Sequence, residues 1–263
     1  QLQKIVAPDG KTGDNFGMSI ALNGNVLVVG AYTHGSNHTG AVYIYRLDGK
    51  KYEFVEKLTP TSTDTSNNYF GRSVAIHGDN LIVGAWGDST NAKKSGMVYF
   101  YKQVDGKFEL KKKVGHPKNQ QDAYFGFAVS VHGGTVLVGS HGDATKGERA
   151  GATFVFRKDS AEWKHHTTLY PENKINANHE FGYKVSAHHN RVLVSAFRDD
   201  FDKEDAGSCY LYLYDAGEYK KLRRVSADDA KSGDMFGSGI ALTRKCALIG
   251  ASGEDTKGND AGC

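Results

Sequence analysis

An all-β fold, a β-propeller of four-stranded antiparallel blades, is predicted by three features of this 263-residue sequence. The dipeptide Phe-Gly recurs at Phe16, Phe70, Phe125, Phe181 and Phe236, at spacings of 54, 55, 56 and 55 residues; a fixed period of this kind marks a repeat architecture. The chain carries 32 Gly but only 4 Pro, beside 14 Tyr and 13 Phe, a composition that suits short strands and tight turns. All four prolines (Pro8, Pro60, Pro117 and Pro171) fall eight or ten residues before a Phe-Gly, at one phase of the repeat.

Each repeat reads as four strands, A to D. Strand A follows Phe-Gly (GMSIAL, GRSVAI, GFAVSV, GYKVSA, GSGIAL). Strand B is an apolar run (VLVVGA, LIVGA, VLVGS, VLVSA, ALIGA) that ends in a small pair such as Gly30-Ala31 or Gly84-Ala85. A second small-residue signal at Gly40, Gly96, Gly151 and Gly207 opens the aromatic strand C: AVYIY, MVYFY, ATFVF and SCYLY. Strand D is charged, as in YEFVEKLTP and FELKKKVGHP. Short turns such as Asn23-Gly24-Asn25 and His77-Gly78-Asp79 join A to B, with Gly supplying the positive φ of a tight hairpin.

Polarity rises from B to D. The apolar strand is therefore covered on both faces, and the lysine-rich strand protects an edge. A four-stranded unit of this polarity, repeated around an axis, is a propeller blade. No 3.6-residue period runs through these segments, which excludes a helical solenoid. The small residues are expected where backbones of neighbouring blades approach closely. The five Phe residues are expected to fill the wedge between blades.

Residues 1–263 thus read as a single propeller domain, phased on the five Phe residues and incomplete in its last blade at Cys263. Gln1 to Pro8 resembles a strand D without its own A, B and C. Two closures are expected: a five-bladed ring closed by the N-terminal strand, or part of a larger propeller. The missing fifth strand C favours a fragment of a longer chain.

No apolar run reaches the length of a membrane-spanning helix. A net charge of +3 is too small to argue for a nucleic-acid partner. With 39% hydrophobic and 24% charged residues the chain is globular and not disordered.

The Phe-Gly, Gly-Ala and Gly-x-Val-Tyr signals together resemble the FG-GAP repeats of integrin α-subunit propellers, and more closely the short FG-GAP repeats of secreted microbial and algal proteins. The resemblance spans the chain. It implies an extracellular or cell-surface propeller that binds other molecules. The integrin pattern holds calcium in an Asp-rich loop between strands A and B. Here that connection is two or three residues, as at His77-Gly78-Asp79, too short to supply the six to eight oxygens calcium takes.

Antiparallel alternation puts the longer B-to-C loops on one face, where binding is expected. Tyr32, Trp86, His141 and Phe197 open four of these loops and are the candidate ligand-binding residues. Aromatic rings beside polar loops suit sugar stacking or a protein hot spot, and they equally suit capping of the core between blades. The alternate acids Asp200, Asp202 and Glu204 are candidate calcium ligands. They lack the turn Gly and terminal acid of an EF-hand loop, so a solvated loop is the favoured reading and no cofactor is expected. Asn37-His38-Thr39 is a glycosylation acceptor.

His77, His132 and His188 share one phase, at hairpin tips expected to lie too far apart to share an ion. No histidine is therefore expected to be a ligand. No specific bridge is expected among Cys209, Cys246 and Cys263.

Three functions compete. The favoured one is a non-catalytic extracellular recognition module for a protein or glycan. The second is a structural subunit packed between neighbours in a larger surface assembly. The third, a hydrolase, is disfavoured, because no catalytic constellation stands out from the repeat.

Overall fold

The A, B, C and D segments become consecutive strands in a computed structural model of the chain, which describes residues 2–62, 67–160, 162–171, 178–256, 258 and 260–263. The first sheet comprises β1 (Phe16–Asn23), β2 (Val26–Ala31), β3 (Ala41–Asp48) and β4 (Lys51–Leu58). The second comprises β5 (Ser73–His77), β6 (Asn80–Ala85), β7 (Met97–Val104) and β8 (Lys107–Gly115). The third comprises β9 (Ala128–His132), β10 (Thr135–Ser140), β11 (Ala152–Asp159) and β12 (Glu162–Leu169). The fourth comprises β13 (Val185–His188), β14 (Arg191–Ala196), β15 (Ser208–Asp215) and β16 (Glu218–Val225). A fifth sheet has two strands, β17 (Phe236–Leu242) and β18 (Ala247–Ala251). Strand order follows chain order in all five, and no helix occurs among the described residues.

Burial follows the polarity gradient. Every residue of β6 and β10 is buried, whereas β8 and β16 are mostly exposed or half-buried. Each C–D pair carries one register shift at the same place, between Ile44/Tyr45, Phe100/Tyr101, Val155/Phe156 and Leu211/Tyr212. An extra residue there bends the outer strand and increases the twist of the blade.

The chain forms two compact units, Gln1–Val131 and His132–Cys263. In the first, one core joins Val26, Val28, Val42 and Ile44 of the first sheet to Leu81, Val83, Tyr99 and Tyr101 of the second, with Phe70 buried among them. Burying one such aromatic side chain stabilises the fold by about 1.5–3 kcal/mol. The predicted wedge role is met at three of the five positions: Phe70, Phe125 and Phe181 are fully buried, whereas Phe16 and Phe236 are half-buried.

The glycine signal has a steric cause. A Cβ on Gly96 would lie 2.1 Å from the Phe125 carbonyl oxygen, and the Gly96 φ is +88°. The corresponding glycines pair with the Phe of the following repeat in parallel bridges, Gly40 with Phe70, Gly96 with Phe125 and Gly151 with Phe181. Amides of Phe70, Phe125, Phe181 and Phe236 donate to the carbonyls of Thr39, Ser95, Ala150 and Ala206 at 3.1, 3.1, 3.1 and 2.8 Å. In the first unit, Ser19 and Ser73 hydroxyls donate to the Gly71 and Gly126 carbonyls at 2.6 and 2.8 Å. Each Phe-Gly after the first is thus hooked into the B-to-C end of the preceding blade.

The N-terminal segment, which resembles a strand D in sequence, is held on the first sheet without strand pairing. Residues 2–7 form no strand; Gln1 lies outside the described residues. The Gln3 side chain exchanges two hydrogen bonds with the Tyr52 backbone, and Tyr45 Oη donates to the Val6 carbonyl at 2.9 Å. Ile5 and Ala7 pack on Val29, Ala31, Tyr43 and Tyr45 of the first sheet. Side-chain hydrogen bonds and apolar contact hold this segment where a strand ladder was expected.

Candidate functional site

Trp86 follows the small pair that closes β6, and Tyr69 directly precedes Phe70. The two rings stack at 4.5 Å with 5° between their planes. Tyr69 takes a φ of +55°, a left-handed conformation uncommon for a bulky residue, and this turns its ring onto the indole. Gly87 leaves room for the turn, because a Cβ there would lie 2.0 Å from the Asn67 carbonyl oxygen and 2.5 Å from the Tyr69 ring.

The stack extends on both sides. Tyr124 and Phe127 meet Trp86 edge-on at 5.4 and 6.2 Å, while Tyr32 and His38 lie 5.9 Å from Tyr69. The Arg72 guanidinium sits 4.7 Å from the Phe127 ring and 5.7 Å from Tyr32. His38 is exposed, and Tyr32, Tyr69, Arg72, Trp86, Tyr124 and Phe127 are half-buried. Trp86 Nε1 finds no hydrogen-bond acceptor among the described residues. The result is a continuous aromatic surface with one cation on the first unit. Cation–π contact contributes about 0.5–1 kcal/mol at such exposed sites.

His141 and Phe197 belong to the second unit and are buried. Phe197 stacks on Tyr183 at 3.9 Å, and His141 meets the same ring edge-on at 5.8 Å. Tyr32 and Trp86 are therefore joined through Tyr69, and His141 and Phe197 through Tyr183.

The acidic loop is largely engaged with its own chain. Asp202 is ion-paired with Arg224, and Asp200 Oδ1 accepts the Asp205 amide at 2.7 Å. Glu204 is exposed, and its carbonyl accepts the Gly233 amide at 2.9 Å. The concentrated chemistry lies one residue earlier. Asp199 is buried and accepts from the Ser208 hydroxyl, from Tyr210 Oη at 2.8 Å and from the Phe201 amide at 3.0 Å. Its other close partner is His179 Nδ1, at 3.1 Å. Burial alone would raise the Asp199 pKa; the hydrogen bonds from His179, Ser208 and Tyr210 outweigh it and hold the group at about 2.

The same latch recurs in other blades, always across twenty residues: His34 with Asp14 at 2.8 Å and Asn68 with Asp88 at 3.2 Å. Asp88, Asp143 and Glu254 also accept amides two residues ahead, those of Thr90, Thr145 and Thr256. These acids lock loops. Of the fifth B-to-C loop, Lys257 and Asn259 lie outside the described residues. Asn37, the glycosylation candidate, is exposed, and its carbonyl accepts the Asn67 amide at 2.6 Å.

The histidine expectation needs a correction. Ring nitrogens of His132, His188 and His189 all lie within 4.8 Å of one another. Hairpin tips of adjacent repeats are close here because β10 and β13 pack together. The left-handed φ of His189, 54°, also turns its side chain to the side of its neighbour.

The model of the FG-GAP repeat matches residues 1–45, 52–101, 119–156, 163–212 and 219–263. The chain belongs to the FG-GAP repeat family. Its five matched segments contain the five Phe-Gly dipeptides, four of which, at Phe70, Phe125, Phe181 and Phe236, are hooked into the preceding repeat. No curated protein matches the sequence. Among solved structures, a candidate 6-phosphogluconolactonase from Bacteroides uniformis ATCC 8492 is similar, with a TM-score of 0.57 and 12% identity. That alignment covers 98% of this FG-GAP chain and 71% of the other, and at such identity it speaks for the propeller fold alone. No helix among the described residues is long and apolar enough to cross a membrane.

Sequence reading missed Tyr69, Tyr124, Phe127 and Arg72. Each sits within two residues of a Phe-Gly, on the strand A side of the blade and not in a loop after strand B.

Proposed function

We propose that this FG-GAP propeller is a non-catalytic recognition module, working outside the cell or at its surface. Its ligand is a protein or glycan that binds the aromatic surface centred on Trp86. The parallel Tyr69–Trp86 stack, with Arg72 beside the adjoining Phe127 ring, supports this reading. Trp, Tyr and Arg dominate binding hot spots because they combine large apolar area with a polar handle. Neither the latched acids nor the hooked Phe-Gly dipeptides offer a comparable surface for a ligand.

The test is a screen of glycan and secreted-protein arrays with the wild type and with Trp86→Ala. A half-buried Trp contributes roughly half of the 3–5 kcal/mol that truncating a fully buried one costs, so the variant stays folded. The reading expects a ligand whose affinity falls at least tenfold in Trp86→Ala and in Arg72→Ala. A ligand bound equally well by both variants would refute it.

A further inference from the structure

The fourth blade breaks the repeat at one hairpin. The residue after strand A is Gly24, Gly78 or Gly133 in the first three blades, with φ of 58°, 59° and 55°. In the fourth it is His189, at a φ of 54°. A non-glycine residue in the left-handed region costs about 1–2 kcal/mol, so the fold alone favours Gly at this position. The histidine that replaces it sits beside two others. Ring centroids are 4.5 Å apart for His132 and His188, 4.7 Å for His132 and His189, and 4.6 Å for His188 and His189.

We infer that His132, His188 and His189 form a binding site for a divalent transition-metal ion. Imidazole nitrogen suits zinc, copper and nickel, whereas calcium and magnesium take oxygen. A tetrahedral ion with metal–nitrogen bonds of about 2.0–2.1 Å separates its ligand atoms by about 3.4 Å. The three ring nitrogens, at 4.8 Å or less, reach that spacing by ring rotation and small shifts at an exposed tip. His188 closes β13 and pairs with Arg191 across the turn, and His132 closes β9, so two ligands stand on strand ends and the third on the turn. A cavity of about 380 Å³ adjoins them, lined by His188, His189, Asn190, Arg191 and Arg244. Three nitrogen ligands beside an open cavity leave a coordination position for water or an anion, and the two arginines favour the anion.

The test is a zinc titration by calorimetry on the full chain carrying Cys246→Ser and Cys263→Ser, which removes the two exposed thiols as competing ligands. One equivalent of zinc is expected to bind. His189→Gly and His132→Gln are each expected to weaken binding at least tenfold, and His77→Gln to leave it unchanged. His189→Gly installs the residue of the sister hairpins, so its metal-free melting temperature should equal or exceed that of the parent. Absence of saturable binding in the parent, or unchanged affinity in His189→Gly, would overturn the inference.

Discussion

Replacing Gly96 by Ala tests the inter-blade hook at a single atom. The new Cβ would lie 2.1, 2.6 and 2.8 Å from the O, N and C of Phe125, all backbone atoms that cannot rotate away. Holding Ala at a φ of +88° costs about 1–2 kcal/mol. Relieving the clash withdraws Phe125 and breaks its amide bond to Ser95, a loss of about 0.5–1.5 kcal/mol. Partial unpacking of the fully buried Phe125 ring adds about 1–3 kcal/mol, below the 3–5 kcal/mol of complete truncation. The sum is about 2.5–6.5 kcal/mol, a large share of the 5–15 kcal/mol typical of a domain. Gly106→Ala is the matched control, with a φ of +83° and nothing within 4 Å of its Cβ; it isolates the conformational part, about 1–2 kcal/mol. Urea unfolding followed by tryptophan fluorescence compares the two variants. Equal losses of stability would refute the steric argument.

The Asp199–His179 latch predicts a defined pH response. The hydrogen bond to Asp199 raises the His179 pKa above 6.5 against desolvation, so its contribution is full below pH 6.5 and fades as pH rises through the folded value. The depressed Asp199 contributes fully above 3.8 and fades as pH falls toward about 2. The pair therefore stabilises most between roughly pH 4 and 6. In an NMR titration, His179 should protonate above 6.5 in the wild type and lower in Asp199→Asn, and an identical midpoint in both would contradict the latch. Burial pushes the Cys209 thiol pKa far up while Cys246 and Cys263 are exposed, so a thiol reagent should label two cysteines in the native chain and three in denaturant. Labelling of Cys209 at the rate of the other two would contradict its burial.

The blade plan was legible because its causes repeat. Gly96 and Phe125 meet in a contact that recurs at four successive junctions, so spacing alone exposed it, and the apolar-to-charged gradient from strand B to strand D mapped directly onto burial. Features that depend on single backbone torsions were not legible. Alternation along a strand sends adjacent side chains to opposite sides, yet the left-handed turn at His189 brings it beside His188. The same torsion at Tyr69 lays its ring on Trp86, which no hydrophobic pattern announces. The latches at Asp14–His34, Asn68–Asp88 and His179–Asp199 share a twenty-residue spacing, but the acid changes sides between blades, so no identical residue marks them in the repeat. The N-terminal segment carries the pattern of strand D, and the Gln3 and Tyr45 side chains hold it on the first sheet instead.

The most direct test of the central claim, that each Phe-Gly after the first is hooked into the blade before it, is native-state amide hydrogen exchange. The amides of Phe70, Phe125, Phe181 and Phe236, each bonded to a carbonyl of the preceding repeat, should exchange as slowly as the amides of β6 and β10. Exchange of these four at the rate of exposed turn amides such as Gly49 would contradict the account.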